Sequence, residues 1–313
     1  MRRAHDAQVP NTPAFSGVEL VMDQFIQQFA TGLSTGSLYA IIALALVIIY
    51  RSTGIVNFAQ GDMAMFMTFI AWSIWNWNGH FWIAFFLALV IAFAFGALLE
   101  LITLRPVETG PVLNPIIVTL GLVLVLESLA LRIWQGQPKA FPTPGVFKGA
   151  PLSIGPADVS RTNVGVFCMS LLIMGLIYLF FNRTKIGLAM RATAQNRVAG
   201  SLVGIRVGRM LMMGWALSAT VGAVAGILLA PTLFLSPSMM AGVLLFAFAA
   251  AVLGGLDSPL GAIVGGLTMG VVQNMAGTYI GSDIDITVAF LVIIAILLVR
   301  PRGIFGRKAI QRV

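Results

Sequence analysis

The chain has 313 residues, 58% of them hydrophobic and only 10% charged, with a mean hydropathy of +0.95 and a formal net charge of +8. Soluble domains carry about 25% charged residues, so a wholly water-facing fold is excluded and lipid must solvate much of the surface. Six basic residues fall in 182–209 (Arg183, Lys185, Arg191, Arg197, Arg206, Arg209) and five in 300–312 (Arg300, Arg302, Arg307, Lys308, Arg312), out of 19 in all. That clustering follows the positive-inside rule and removes the nucleic-acid partner that a basic soluble protein would suggest.

Residues 1–24 read as a mobile tail, without the apolar stretch of a signal peptide. A membrane domain then occupies 25–299. The first span is Phe25–Tyr50, with Gly32 and Gly36 spaced for close helix contact. Arg51 ends it, and the polar, glycine-punctuated segment RSTGIVNFAQGD follows. The second apolar run, Met63–Trp77, is short for a span of about 20 residues. Residues 51–70 therefore either cross or re-enter the membrane, and the side of the N-terminus depends on which. Trp72, Trp75, Trp77 and Trp82 surround a polar turn at Asn76–His80 and form an interfacial aromatic belt.

Spans three to nine are expected at Phe81–Leu104, Pro115–Trp134, Val164–Phe181, Met210–Ala230, Met240–Leu253, Ala262–Met275 and Ile286–Val299. The fold class is thus all-α, a polytopic helical membrane protein with eight or nine transmembrane helices. The Pro- and Gly-rich loop 135–162 lies outside, the basic loop 182–209 inside, and 300–313 is a basic cytoplasmic tail. Gly222-xxx-Gly226, Gly261-xxx-Gly265 and Gly266-xxx-Gly270 sit in apolar runs and suit tight packing or moving helices.

The chemistry of catalysis is absent. No lysine lies in a Walker A setting, so ATP hydrolysis by that route is excluded. The histidines, His5 and His80, form no metal-ligand pattern, and the single cysteine, Cys168, has no disulfide partner within the chain. No catalytic residue, metal site or bound cofactor is expected. Passage across the membrane is the better reading. Polar groups at membrane depth are its candidates: Asn57, Gln60 and Asp62 in the broken segment 54–62, and Glu127 five residues before Arg132. A broken element of this kind can line a path, and its amides can equally satisfy freed backbone groups. Asp62 also suits a helix N-terminus.

The loop 182–209 carries a second pattern. Ala194, Val198, Leu202 and Ile205 recur at spacings of four, four and three, giving one apolar face to a short helix with basic flanks. Such a helix fits a partner's groove or lies on anionic headgroups.

Four stretches carry a family likeness: GLSTGSLYAIIALALVIIYRSTGIVNFAQGDMAM, KIGLAMRATAQNRVAGSLVGIRVGRM, LSATVGAVAGILLAP, and AVLGGLDSPLGAIVGGLTMGVVQN with the ending RPRGIFG. Over residues 25–306 the chain resembles the LivH-type permease subunits of ABC importers for branched-chain amino acids. The resemblance implies a helical permease fold of the LivH/LivM type in a bacterial inner membrane. It implies a homologous LivM-type subunit, two cytoplasmic ATPases that use the ATP, and a periplasmic solute-binding protein. The solute would be leucine, isoleucine or valine, with urea and short amides handled by related permeases. It also implies that 182–209 is a coupling loop docking on the ATPase. The importer signature Glu-Ala-Ala with Gly four residues on is matched here by Val198-Ala199-Gly200 and Gly204, without the glutamate. The run Met190–Asn196 adds Arg191 and Asn196. The coupling set is then Arg191, Ala194, Asn196, Val198, Ala199, Leu202, Gly204 and Ile205. A competing class, an ion-coupled secondary transporter, would need Glu127 as its coupling acid.

Overall fold

The computed structural model describes residues 17–108, 110–111, 113–154 and 157–306. Eleven α-helices dominate: α1 (Gly17–Thr53), α2 (Gln60–Asn78), α3 (Phe81–Leu99), α4 (Leu113–Trp134), α5 (Arg161–Arg183), α6 (Lys185–Gln195), α7 (Arg197–Leu202), α8 (Val207–Leu233), α9 (Met239–Gly254), α10 (Pro259–Tyr279) and α11 (Asp285–Val299). All nine expected spans are helices. Six helical stretches among the described residues are long and apolar enough to cross a membrane, while α9 and α11 are shorter apolar helices.

The centre of the bundle is α1, α8, α9 and α10. Residues 38–49 of α1 are all buried, which is why this helix is hydrophobic all round and shows no amphipathic stripe. It runs antiparallel to α10. Asn274 Nδ2 donates to Gln28 O at 2.6 Å near one end, and Gly32 faces Val271 and Asn274. A Cβ on Gly36 would stand 2.9 Å from Leu267 Cα and 2.8 Å from Gly266 O. Only glycine admits this approach, and in lipid such backbone packing replaces the hydrophobic drive. By contrast α3, α4 and α5 are peripheral, with Phe86, Val90, Leu124, Leu172 and Leu176 exposed on their outer faces.

The contacts at each end fix the direction of α1. Near its start, Ser34 Oγ donates to Asn163 O at 3.1 Å and Asn163 Nδ2 donates to Thr31 Oγ1 at 3.4 Å, beside the start of α5. Its last residues, Ser52 and Thr53, meet Arg197 of the basic loop. The first helix therefore begins on the face of the 135–160 loop and ends on the basic face. The segment 51–70 then returns: α2 starts inside the bundle and runs to the first face, where Trp134 Nε1 donates to Ser73 Oγ at 2.8 Å and Trp72 Nε1 to Ala140 O at 3.1 Å.

Two terminal expectations change. Residues 17–24 are the first turns of α1 and not tail, because the chain reads Gly-Val-Glu-Leu-Val-Met without a breaker; the rest of that tail, 1–16, lies outside the described residues. At the other end, residues 303–306 fold back on α9, with Ile304 N donating to Leu253 O at 2.9 Å and Phe305 N to Gly254 O at 3.0 Å. Those carbonyls are orphans of a helix C-terminus and need donors; residues 307–313 lie outside the described residues.

Candidate functional site

The break between α1 and α2 is built by two amides. After Thr53, Gly54 takes φ +77, a left-handed turn that ends α1. Asn57 Oδ1 accepts from Ala59 N at 3.0 Å, holding the turn into α2, and its Nδ2 lies 3.3 Å from Gln60 Oε1. Gln60 reaches α8, where Nε2 donates to Ser218 O at 3.2 Å and Oε1 accepts from Ser218 Oγ at 2.8 Å. Ser218 Oγ also lies 2.8 Å from Ala45 O of α1. Ala45 stands eight residues before Thr53, about 12 Å along a helix. The chain thus unwinds on the basic side and restarts well inside the fold. Both amides are buried, 1% and 0% exposed, so freed polar groups are satisfied by protein as a lipid-embedded break requires.

The four expected path residues do not form one set. Asn57 and Gln60 staple α1, α2 and α8. Asp62 lies two residues on, half-buried, and feels the carboxylate of Glu127 on α4. Helix geometry explains the split, since residues i and i+2 do not share a face.

An apolar groove opens beside the break. Leu46, Val56, Asn57, Phe58, Ala241, Leu244, Leu245 and Phe248 line a space of about 230 Å³. Phe58 is 38% exposed there. A second, smaller cavity of about 40 Å³ lies on the other side of the break, lined by Asn57, Glu100, Glu108, Thr119, Arg197 and Trp215 among others. Glu100 enters it from a π-helical turn, Glu100–Leu104, that ends α3; such turns collect at functional sites.

The basic face carries the helix pair α6–α7. Thr184 caps α6, its Oγ1 accepting from Gly187 N at 3.0 Å. The single apolar face expected through Ala194, Val198, Leu202 and Ile205 is not continuous. Asn196 interrupts it with φ −156 and ψ 109, and its Oδ1 accepts from Ala199 N at 2.9 Å. An asparagine side chain competes for helix N–H groups and so starts a new helix rather than continuing one. Ala194 therefore belongs to α6, while Val198 and Leu202 project from α7 and Ile205 lies beyond it. Val198, Leu202 and Val203 are 70%, 82% and 75% exposed. Gly204 ends α7 at φ +83; Ile205 N donates to Gly200 O at 3.0 Å and Gly204 N to Ser201 O at 3.0 Å. These are the paired bonds of a left-handed glycine cap. Ala199 is exposed, and Arg191 turns back to α5, its Nη1 donating to Asn182 Oδ1 at 3.2 Å.

Arg197 is the residue that sequence spacing missed. Its Nη1 donates to Glu108 Oε1 at 2.8 Å, and its Nη2 donates to Ser52 O at 3.1 Å and Thr53 O at 2.8 Å. It sits between Asn196 and Val198, both singled out by pattern, but only the tertiary fold brings the end of α1 under it.

A bundle of apolar helices, an unwound helix at membrane depth and an exposed helix pair on the basic face together define the membrane-spanning subunit of a transporter. Comparison with known sequences specifies which. Residues 28–299 match the family model described as "Branched-chain amino acid transport system / permease component". The chain is similar to the "High-affinity branched-chain amino acid transport system permease protein BraD" of Pseudomonas aeruginosa, 32% identical over 92% of this chain and 98% of that one. It is similar to the "High-affinity branched-chain amino acid transport system permease protein LivH" of Escherichia coli K12, 30% identical over 92% of this chain and 98% of that one. A third relative is the "Probable branched-chain amino acid transport permease protein LivH" of Methanocaldococcus jannaschii, 30% identical over 86% and 89%. No solved structure matches. The chain belongs to this family of permease components and is a multi-pass membrane protein.

Proposed function

We propose that the protein is the LivH-type permease subunit of an ATP-driven importer and passes branched-chain amino acids across a bacterial inner membrane. The observation that carries the reading is the groove beside the 54–59 break. Its walls are apolar apart from Asn57, so an aliphatic side chain is held by Leu46, Val56, Phe58, Leu244 and Leu245 while the polar end of the solute faces outward. The groove opens on the bundle surface, and a homologous LivM-type subunit closes it. A periplasmic binding protein delivers the solute on the face of the 135–160 loop. Arg51, Arg105, Arg197 and the rest of the basic loop put the opposite face in the cytoplasm. There, Val198, Leu202 and Val203 offer an apolar surface that water does not tolerate unpartnered in a continuous patch, and two ATPases dock on it. ATP is used by those partner ATPases.

Uptake by the reconstituted complex, with leucine, isoleucine, valine, urea and acetamide as competitors, tests the solute. Competition by the three amino acids alone is expected. Competition by urea or acetamide at equal concentration assigns the groove to that class instead. Phe58→Ala is expected to weaken leucine uptake more than alanine uptake, since it removes wall from the aliphatic part.

A further inference from the structure

The reading above leaves open how a push on the exposed helix pair reaches the groove. α7 is six residues long. Its first residue, Arg197, bonds the end of α1 just before the break. From the start of α7 Arg197 binds two other elements with one planar fork: the last two carbonyls of α1 through Nη2, and Glu108 of the α3–α4 linker through Nη1. The α1 carbonyls belong to Ser52 and Thr53, immediately before the left-handed turn at Gly54. A guanidinium there satisfies orphan carbonyls and opposes the negative end of the helix dipole. The break 54–59 hangs from those residues, and Gln60 pins its far end to α8.

We propose that Arg197 is the positioning residue that transmits displacement of α7 to the unwound segment 54–59, and so to the groove at Phe58. This rests on the reading of α7 as the ATPase-docking helix. The cavity beneath Arg197 gives the fork room to move. On its wall stands a second carboxylate, Glu100, 2% exposed. Glu100 Oε2 accepts no hydrogen bond and is held only by a long ion pair to Arg105 Nη2 at 3.6 Å. A buried carboxylate oxygen without a donor is costly, so it is a ready acceptor for a guanidinium that leaves Glu108. Glu108 holds Arg197 in the present conformation and Glu100 receives it when α7 moves inward. Lysine cannot replace arginine here, because a single ammonium lacks the planar fork that joins α1 to Glu108.

The experiment uses the complete transporter purified with its partner subunits. Three quantities are read: ATPase association, ATP hydrolysis, and solute taken up per ATP. Arg197→Gln and Arg197→Lys are expected to keep association and hydrolysis within about threefold of wild type and to lower uptake per ATP by about tenfold or more, the loss of a charge-assisted forked contact. Glu108→Gln and Glu100→Gln are each expected to lower it about threefold, since one of two acceptors loses its charge. Movement is read directly with Ile55→Cys in a Cys168→Ser background: maleimide labelling should change on ATP addition in the parent and stay constant with Arg197→Gln. Unchanged uptake per ATP and an unchanged labelling response in Arg197→Gln overturn the inference. Full rescue by Arg197→Lys does so too, because a simple charge anchor would then suffice. Should Arg197→Gln fail to assemble, Glu108→Gln decides, since it leaves the carbonyl bonds intact: an unaltered ratio overturns the proposal. Leu202→Asp separates the two readings. If the ATPases still associate with it, the docking reading falls. If they dissociate while Arg197→Gln behaves as wild type, only the Arg197 inference falls.

Discussion

Replacement of Gln60 probes the staple that holds the broken helix. The side chain is fully buried, and its oxygen accepts from Ser218 Oγ at 2.8 Å while its nitrogen donates to Ser218 O at 3.2 Å. Gln60→Met keeps the volume and removes the amide. Ser218 Oγ retains Ala45 O as acceptor, and Asn57 Nδ2 retains Met63 Sδ at 3.3 Å. Few groups are thus left wholly stranded, and the loss should be about 1–2 kcal/mol, near the cost of one buried unsatisfied group. Gln60→Ala also leaves a cavity against Gly222 and Ala64, and should cost about 3 kcal/mol in total. The coupling between Gln60 and Ser218 follows from a double-mutant cycle of Gln60→Met, Ser218→Ala and the pair. Hydrogen bonds between membrane helices give about 0.6 kcal/mol on average and up to about 1.7; the two-bond geometry places this pair in the upper half of that range. Denaturant titration of the reconstituted protein in mixed micelles measures it. Additive single effects would refute the staple, and would mean that packing of α2 on α8 alone fixes the break.

Three other perturbations have defined outcomes. Gly204→Ala places a Cβ in open space but at φ +83, so it should cost about 1–2 kcal/mol of strain at the end of α7 and weaken ATPase association measured by co-purification, with Gly204→Asn milder. Gly36→Val drives a side chain into the backbone of Gly266 and Leu267; it should destabilise by more than about 3 kcal/mol, since backbone cannot yield as a core side chain does, and should lower the thermal midpoint in micelles. Glu127→Gln should leave ATP-dependent uptake intact, because Glu127 is not among the residues that line the groove; abolished uptake would restore the ion-coupled alternative.

The spans, the break and the basic loop were legible for different reasons. Nine apolar runs separated by Gly, Pro and charge are a one-dimensional signal, because lipid demands long stretches without charge. The polar segment 54–62 was legible because polar groups there needed an explanation. The apolar pattern of 182–209 does not form one helix: its period of hydrophobic residues continues through Asn196, while the backbone does not. Nearness in sequence did not decide the surroundings of the path candidates: Gln60 bonds Ser218 of α8, while Asp62 two residues on faces the carboxylate of Glu127.

The sequence by itself determined that this is a polytopic helical membrane protein with one strongly basic face, and its motifs determined the family. These properties reside in composition and local pattern, which the solvent reads directly. Only the tertiary structure decided that α2 restarts at depth beside Ser218, that Arg197 pairs with Glu108, and that Arg197 holds the end of α1. Those contacts join residues 89 to 158 positions apart. Their pairing is selected by how helices pack on glycine faces and by the need to satisfy each buried polar group, which no local window of sequence contains.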